Sequence, residues 1–392
     1  MPLVPVTVLT GFLGSGKTTL LNHILRTSHG MRFAVIENEF GAVGIDEHIL
    51  AEQTNEEVIE VMNGCICCTV RGDLVQALKR LHERVKLFDA VIIETTGMAD
   101  PAPVAQTFFV DDDIQALYRL DGIITVVDAK NIQLRLKEER PEGVENEAVE
   151  QVAFADRLLL NKTDLVTAGE LAAIEADLKA INSQAPIVQC SHSVVDPKTL
   201  INMRAFDLKR VLAMDADFLN TEGEHQHDQR VTSVSCQFEG ELNLNALKSW
   251  VSTMCTKYGA NLYRYKGLLA VKGMDKKFVF QGVGMLFGGE FADKKWKRDE
   301  VRTCRFVFIG KNIDKDELTN GFKSCMASEL RFKPGDKVEA RRGGSSSRPA
   351  YVPGTIISTW DEGNPYRIEL DDGEGTNVWG PEDSDDFVRA RK

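Results

Sequence analysis

Three stretches of this 392-residue chain gather reactive side-chain types at spacings that suit chemistry. The first is Gly11-Phe12-Leu13-Gly14-Ser15-Gly16-Lys17-Thr18: a glycine, four residues, then Gly-Lys-Thr. Glycines let successive backbone N–H groups turn inward around phosphate oxygens, and a helix starting just after them adds the positive end of its dipole. Gly11, Gly14, Ser15, Gly16, Lys17, Thr18 and Thr19 then form a phosphate cradle. Lys17 neutralises the β- and γ-phosphates, and the Thr18 hydroxyl holds Mg²⁺.

The second is Asn161-Lys162-Thr163-Asp164, directly after the apolar run Arg157–Leu160. Ligands bind at such strand ends in open parallel sheets. The tetrapeptide resembles the guanine-specificity motif of GTPases. A carboxylate at Asp164 can accept from both the ring N–H and the exocyclic amine of guanine, a pair that adenine lacks. Asn161, Lys162 and Asp164 therefore point to GTP rather than ATP.

The third is Asn63-Gly64-Cys65-Ile66-Cys67-Cys68, with three of the eight cysteines in four residues. Such a cluster is unlike a disulfide framework and suits a soft metal such as Zn²⁺ or Cu⁺. One short loop supplies three ligands, which leaves a coordination position open or filled by a mobile group such as Glu39. Two acidic segments flank the cluster: Glu37-Asn38-Glu39-Phe40-Gly41 and Glu94-Thr95-Thr96-Gly97. Glu94 sits where a Walker-B-type acid lies, near Mg²⁺ or the attacking water, and the Gly97 N–H is placed to sense the γ-phosphate. Lys17, Glu94 and Gly97 are the expected catalytic groups. Cys190, Cys236, Cys255, Cys304 and Cys325 are scattered singly and read as core thiols.

These residues need strand ends to carry them. Residues 1–216 alternate β-rich apolar runs with amphipathic stretches, the pattern of βαβ units around a mainly parallel sheet. Strands are predicted at Val4–Thr10, Phe33–Ile36, Ala90–Glu94, Gly122–Asp128, Arg157–Asn161 and Ile187–Gln189, and helices at Lys17–Arg26, Asp73–Arg84 and Ala168–Ile181. A polar linker over 217–230 carries His225 and His227, read as a solvated tract. Residues 231–328 follow as a small α+β domain. There, strands are expected at Val231–Phe238, Tyr263–Val271, Phe278–Gln281 and Arg305–Ile309, with helices at Leu244–Lys257 and Asp314–Cys325. The last part, 329–392, has short strands separated by Pro-Gly, Asp-Gly and Gly-Ser turns, and is expected to be a small all-β barrel of SH3 or Tudor type. Tyr351, Trp360, Tyr366 and Trp379 fill the core of so small a barrel or line a cage for a methylated cation.

Gly11–Thr18, Glu37–Gly41, Gly64–Cys68, Glu94–Pro101 and Asn161–Asp164, in this order, resemble the CobW-type branch of the phosphate-loop GTPases. Its relatives are the urease and hydrogenase nickel-insertion GTPases. Arg264-Tyr265-Lys266-Gly267 and Phe280-Gln281-Gly282-Val283 are similar to the C-terminal domain of the branch, most closely in its YjiA-like members. The resemblance spans residues 4–328. It implies a P-loop NTPase fold with a CobW C-terminal-type domain, GTP hydrolysis with Mg²⁺, and transfer of a transition metal, most often zinc, to a client metalloprotein. It also implies Cys65, Cys67 and Cys68 as the metal ligands. GTP would order the cysteine loop and assemble the site, and hydrolysis would loosen it. Two alternatives stay open: a metal buffer or sensor, and a scaffold GTPase whose barrel recruits a protein ligand.

With 59 acidic and 47 basic residues the net charge is −12, which argues against general nucleic-acid binding. No apolar run reaches the ~20 residues of a membrane helix. A soluble cytoplasmic protein is expected, with homo-oligomerisation left open.

Overall fold

The protein is described here from a computed structural model covering residues 3–26, 32–37, 70–82, 88–95, 101–138, 146–205, 231–283, 286–342 and 350–391. Three sheets account for its architecture. The first is six-stranded and wholly parallel, built from β1 (Val4–Thr10), β2 (Phe33–Glu37), β3 (Ala90–Glu94), β4 (Tyr118–Asp128), β5 (Arg157–Asn161) and β6 (Ile187–Gln189). Their order in space is β2-β3-β1-β4-β5-β6. Val6, Val8 and Leu9 in β1, and Ile123, Ile124, Val126 and Val127 in β4, are all buried. Strands apolar on both faces are what a parallel sheet covered by helices on both sides requires. The helices are α1 (Lys17–Arg26), α2 (Val70–His82), α3 (Ala102–Val110), α4 (Asp112–Leu117), α5 (Ile132–Leu136), α6 (Glu147–Phe154) and α7 (Ala168–Ile181). Strand order reverses at β1, so the crevice beyond its carboxyl end is where such a sheet takes a ligand.

β4 starts at Tyr118, earlier than the Gly122 expected from sequence. Tyr118 is buried and donates its hydroxyl to Leu78 O at 2.8 Å. Asp121, fully buried, accepts from Met203 N and Arg204 N and ion-pairs with Arg119. A charged residue beside a glycine reads as a turn, yet here it is satisfied inside a strand. Helix α2 likewise starts at Val70 rather than at Asp73, and is described as far as His82, with Arg84 outside the described residues.

The second sheet is antiparallel, in the order β10-β9-β8-β11-β7. Its strands are β7 (Val231–Glu239), β8 (Leu262–Leu269), β9 (Lys276–Val283), β10 (Leu286–Lys295) and β11 (Thr303–Lys311). Both faces are covered, and β11 shows why. Phe306 and Phe308 point to one side, stacked at 4.5 Å, and pack against α8 (Leu244–Tyr258) and α9 (Lys315–Ser324) through Trp250 and Phe322. Val307 and Ile309 point to the other side and join the core of the first sheet, with Tyr263 and Val283.

Behind that apolar contact lies a buried charge cluster. Asp156, between α6 and β5, pairs with Arg264 and, at 3.3 Å, with Lys266. Its other oxygen accepts from Ile123 N at 2.9 Å, and burial is outweighed by the two cations, so its carboxyl stays below the usual carboxylate range. Arg264 also donates to Phe154 O and Lys266 to Ala205 O.

The third sheet, in the order β15-β14-β13-β12-β16, is antiparallel. It comprises β12 (Lys337–Arg342), β13 (Ala350–Asp361), β14 (Asn364–Leu370), β15 (Asn377–Gly380) and β16 (Val388–Ala390). It curls around Val338, Ile356, Tyr366, Ile368 and Val388. The four aromatic residues do not gather into a cage. Tyr366 is core, with its hydroxyl donating to Asp383 at 2.7 Å. Tyr351 and Trp379 lie under Arg389 and Arg367, and Trp360 backs onto Gly273 in the turn between β8 and β9. Asn245 at the start of α8 donates to Pro381 O at 2.7 Å, which adds to this attachment. No helix among the described residues is long and apolar enough to cross a membrane.

Candidate nucleotide site

β1 delivers the chain to Thr10, and the next six residues wrap back into α1. Gly11, Gly14 and Gly16 all have positive φ, at 141°, 78° and 110°. Space as well as φ demands glycine at two of them. A Cβ on Gly11 would meet Val126 O at 2.3 Å, and one on Gly16 would meet Asn161 Nδ2 at 2.5 Å. Ser15 N donates to Phe12 O and Leu20 N to Gly16 O, which closes the loop and starts the helix. Lys17 is buried, with its ammonium donating to Gly11 O at 2.8 Å. Burial pulls its pKa down, and the nearby Glu94 carboxylate opposes that shift. Thr18 and Thr19 are exposed at the head of α1. Among the described residues, the buried hydroxyls of Ser15 and Thr10 have no hydrogen-bond partner. Unspent donors in a glycine-lined cradle fit a phosphate chain, since buried polar groups are otherwise nearly always paired.

Glu94 ends β3, in register with Leu9 of β1 on one side and with Glu37, the last residue of β2, on the other. Three neighbouring strands thus end in Glu37, Glu94 and the loop bearing Lys17. Glu39, Cys65, Cys67, Cys68 and Gly97, with His225 and His227, lie outside the described residues. The chain between Glu37 and Val70 carries Glu39 and the three cysteines, so that segment leaves the sheet beside Glu94 and ends where α2 begins. Among the described residues no group of three or more His, Cys, Asp or Glu side chains could hold a metal. Cys190, Cys236, Cys255, Cys304 and Cys325 are all buried, and burial pushes the Cys304 thiol up to about 12.

The Asn161–Asp164 segment divides its labour. Asn161 is 2% exposed and its amide donates to Ser15 O and Ser193 Oγ, both at 2.9 Å, while its carbonyl accepts from Ser193 N. Ser193 Oγ in turn donates to Gly16 O at 3.0 Å. Asn161 therefore shapes the phosphate loop from behind. Lys162, in the left-handed conformation at φ 62°, reaches Gly14 O at 2.7 Å and Asp128 at 2.7 Å. Asp164 alone leaves its carboxylate substantially open, 3.9 Å from the His192 ring. Sequence reasoning missed Ser193, Asp128 and Arg135, whose guanidinium covers the Phe12 ring at 4.5 Å. The one signal in the sequence was Asp128, a carboxylate that follows the largely apolar run Gly122–Val127.

Residues 5–189 match the CobW/HypB/UreG nucleotide-binding domain, and residues 231–326 match the cobalamin synthesis protein cobW C-terminal domain. The zinc chaperone YjiA of Escherichia coli is 35% identical over 323 residues, 81% of this chain and 98% of that protein. The zinc-regulated GTPase metalloprotein activator 1 of Schizosaccharomyces pombe is 36% identical over 72% of this chain and 76% of its own. The zinc chaperone CobW of Pseudomonas aeruginosa is 32% identical over 83% of this chain and 92% of its own. Among solved structures, the Zn(II)-bound YjiA GTPase from E. coli superposes with a TM-score of 0.66 at 31% identity, over 83% of this chain and all of that one.

Proposed function

The chain belongs to the CobW/HypB/UreG family and is a GTPase, and from that premise we propose that it is a zinc chaperone that passes its metal to a client protein in the cytoplasm. GTP is the nucleotide substrate, and zinc is cargo rather than a resident cofactor. Lys17 and the loop N–H groups hold the phosphates, and Asp164 reads guanine by accepting from its two N–H donors. Bound Mg²⁺ supplies neutralising charge to the phosphates, and Thr18 is the residue that would hold it. Glu94 orients the attacking water, with the Gly97 N–H reporting the γ-phosphate.

Cys65, Cys67 and Cys68, with Glu39 as a fourth and exchangeable ligand, take up the zinc as thiolates. Soft thiolates bind zinc tightly, so handing it on needs a coupled change in the site. What supports such coupling is the attachment of the segment 38–69: it leaves from Glu37, next to Glu94, and returns at Val70. A γ-phosphate that draws in one flank gathers the ligands, and its loss releases them.

A competitive zinc titration with Mg²⁺ and either GDP or a non-hydrolysable GTP analogue tests this, on wild type and Cys67→Ala. Binding tighter with the analogue by about tenfold or more, and lost in the variant, is expected, a coupling of ordinary allosteric size. Equal affinities would leave a zinc buffer or a GTP-regulated scaffold instead.

A further inference from the structure

We propose that Asp128 is a positioning residue of the nucleotide site, which sets the shape of the phosphate loop by holding Lys162 and the start of helix α5. It ends β4 and stands opposite Asn161 in the β4–β5 ladder. Its carboxylate is 13% exposed and accepts from three donors: Lys130 N at 3.0 Å, Asn131 Nδ2 at 2.9 Å and Lys162 Nζ at 2.7 Å.

Each of the last two leads to the loop. The Lys162 ammonium spends a second hydrogen bond on Gly14 O, and the lysine backbone sits in a conformation that side-chain-bearing residues adopt only when held there. Asn131 opens helix α5, and that helix carries Arg135 onto the Phe12 ring. The loop is thus gripped from its inner side by Asn161 and Ser193 on Ser15 and Gly16. From its outer side it is gripped on Phe12 and Gly14 by two contacts that both trace to Asp128.

The sign of the effect separates positioning from bulk electrostatics. A carboxylate near a phosphate site repels it, so removing the charge in Asp128→Asn would tighten GTP binding if field alone mattered. Positioning requires the opposite. Without its counter-ion, Lys162 leaves Gly14 for water, and the cradle must be rebuilt by each incoming nucleotide. The KM for GTP then rises by about tenfold or more while kcat changes little, the size expected for losing a charge-assisted hydrogen bond. Asp128→Glu, which keeps the charge, recovers most of the affinity. In the Asp128→Asn background Lys162→Met adds little, because both act through one contact.

The test is steady-state GTP hydrolysis by the full chain for wild type, Asp128→Asn, Asp128→Glu, Lys162→Met and the double variant, with melting temperatures measured alongside. A tenfold KM increase with near-constant kcat, rescue by Glu and non-additive double-variant losses are the expected set. An unchanged or lowered KM overturns the inference, as does a drop in kcat at constant KM, which reports lost folded protein. If Asp128→Asn does not fold, an unchanged KM in Lys162→Met overturns it equally. The inference rests on the GTPase reading. Wild type failing to turn over GTP would overturn both, whereas a normal wild type with an indifferent variant overturns this one alone.

Discussion

Replacing Asp156 by asparagine keeps the size of the side chain and removes its charge. Arg264 and Lys266, whose side chains are 5% and 10% exposed, then lose the carboxylate they share while staying buried between the first two sheets. Breaking a buried pair from one side costs about 3–5 kcal/mol, because the remaining charge stays desolvated. At about 2–4 °C per kcal/mol for units of this size, the melting temperature of the full chain should fall by about 6–20 °C. Scanning calorimetry reads the shift, and added salt should change it little because the cluster is sheltered. The folded carboxyl is held below its unfolded value, so its stabilisation is complete above the unfolded pKa and is lost as pH falls through the folded one. The gap between wild type and variant should therefore stay constant from neutral pH down to about 4 and narrow only below that. Asp156→Leu combined with Arg264→Met and Lys266→Met should recover most of the loss, since an apolar set of similar volume avoids the desolvation cost altogether. A shift under about 2 °C for Asp156→Asn would show that the cluster is neutral to the fold and refute the argument.

Two further substitutions follow from close approaches. Gly16→Ala places a methyl 2.5 Å from Asn161 Nδ2 and 2.7 Å from Ser193 Oγ at a φ of 110°, so affinity for a fluorescent GTP analogue should fall at least about 100-fold with the fold retained by circular dichroism. Gly273→Ala drives a methyl to 1.7 Å from Trp360 O at the seat of the third sheet. Small-angle scattering should show a larger radius of gyration, with GTP turnover within about twofold of wild type, since substitutions remote from a site seldom reach it.

What could be read in the sequence was local, and what could not was carried by partners far along the chain. The spacing of Gly11, Gly16, Lys17 and Thr18 is a backbone requirement met within eight residues, and the strands before and after it announce themselves by apolar runs. Tyr118 and Asp121 escaped because Leu78, Met203 and Arg204, which satisfy their buried polar groups, lie far along the chain. Strand β10 was missed for another reason. It is an edge strand whose Gly288-Gly289 pair suggests a turn, yet a Cβ at Gly289 would strike the Phe278 ring at 2.5 Å. In the site itself the sequence marked Asn161 and Lys162 as guanine-side residues, while the geometry gives their polar groups to the phosphate loop. The partners responsible, Ser193 and Asp128, belong to no motif.

The shared apolar core of the first two sheets also bears on what recombination can do with this chain. Val307, Ile309, Tyr263 and Val283 have no cover of their own, so a gene fragment encoding only 231–326 would display a sticky apolar face and be lost to aggregation. Those two parts can be inherited only together. The terminal sheet has a private core and leans on its neighbour chiefly at Asn245 and Gly273. It is the piece that a lineage could add, exchange or discard without rebuilding the rest.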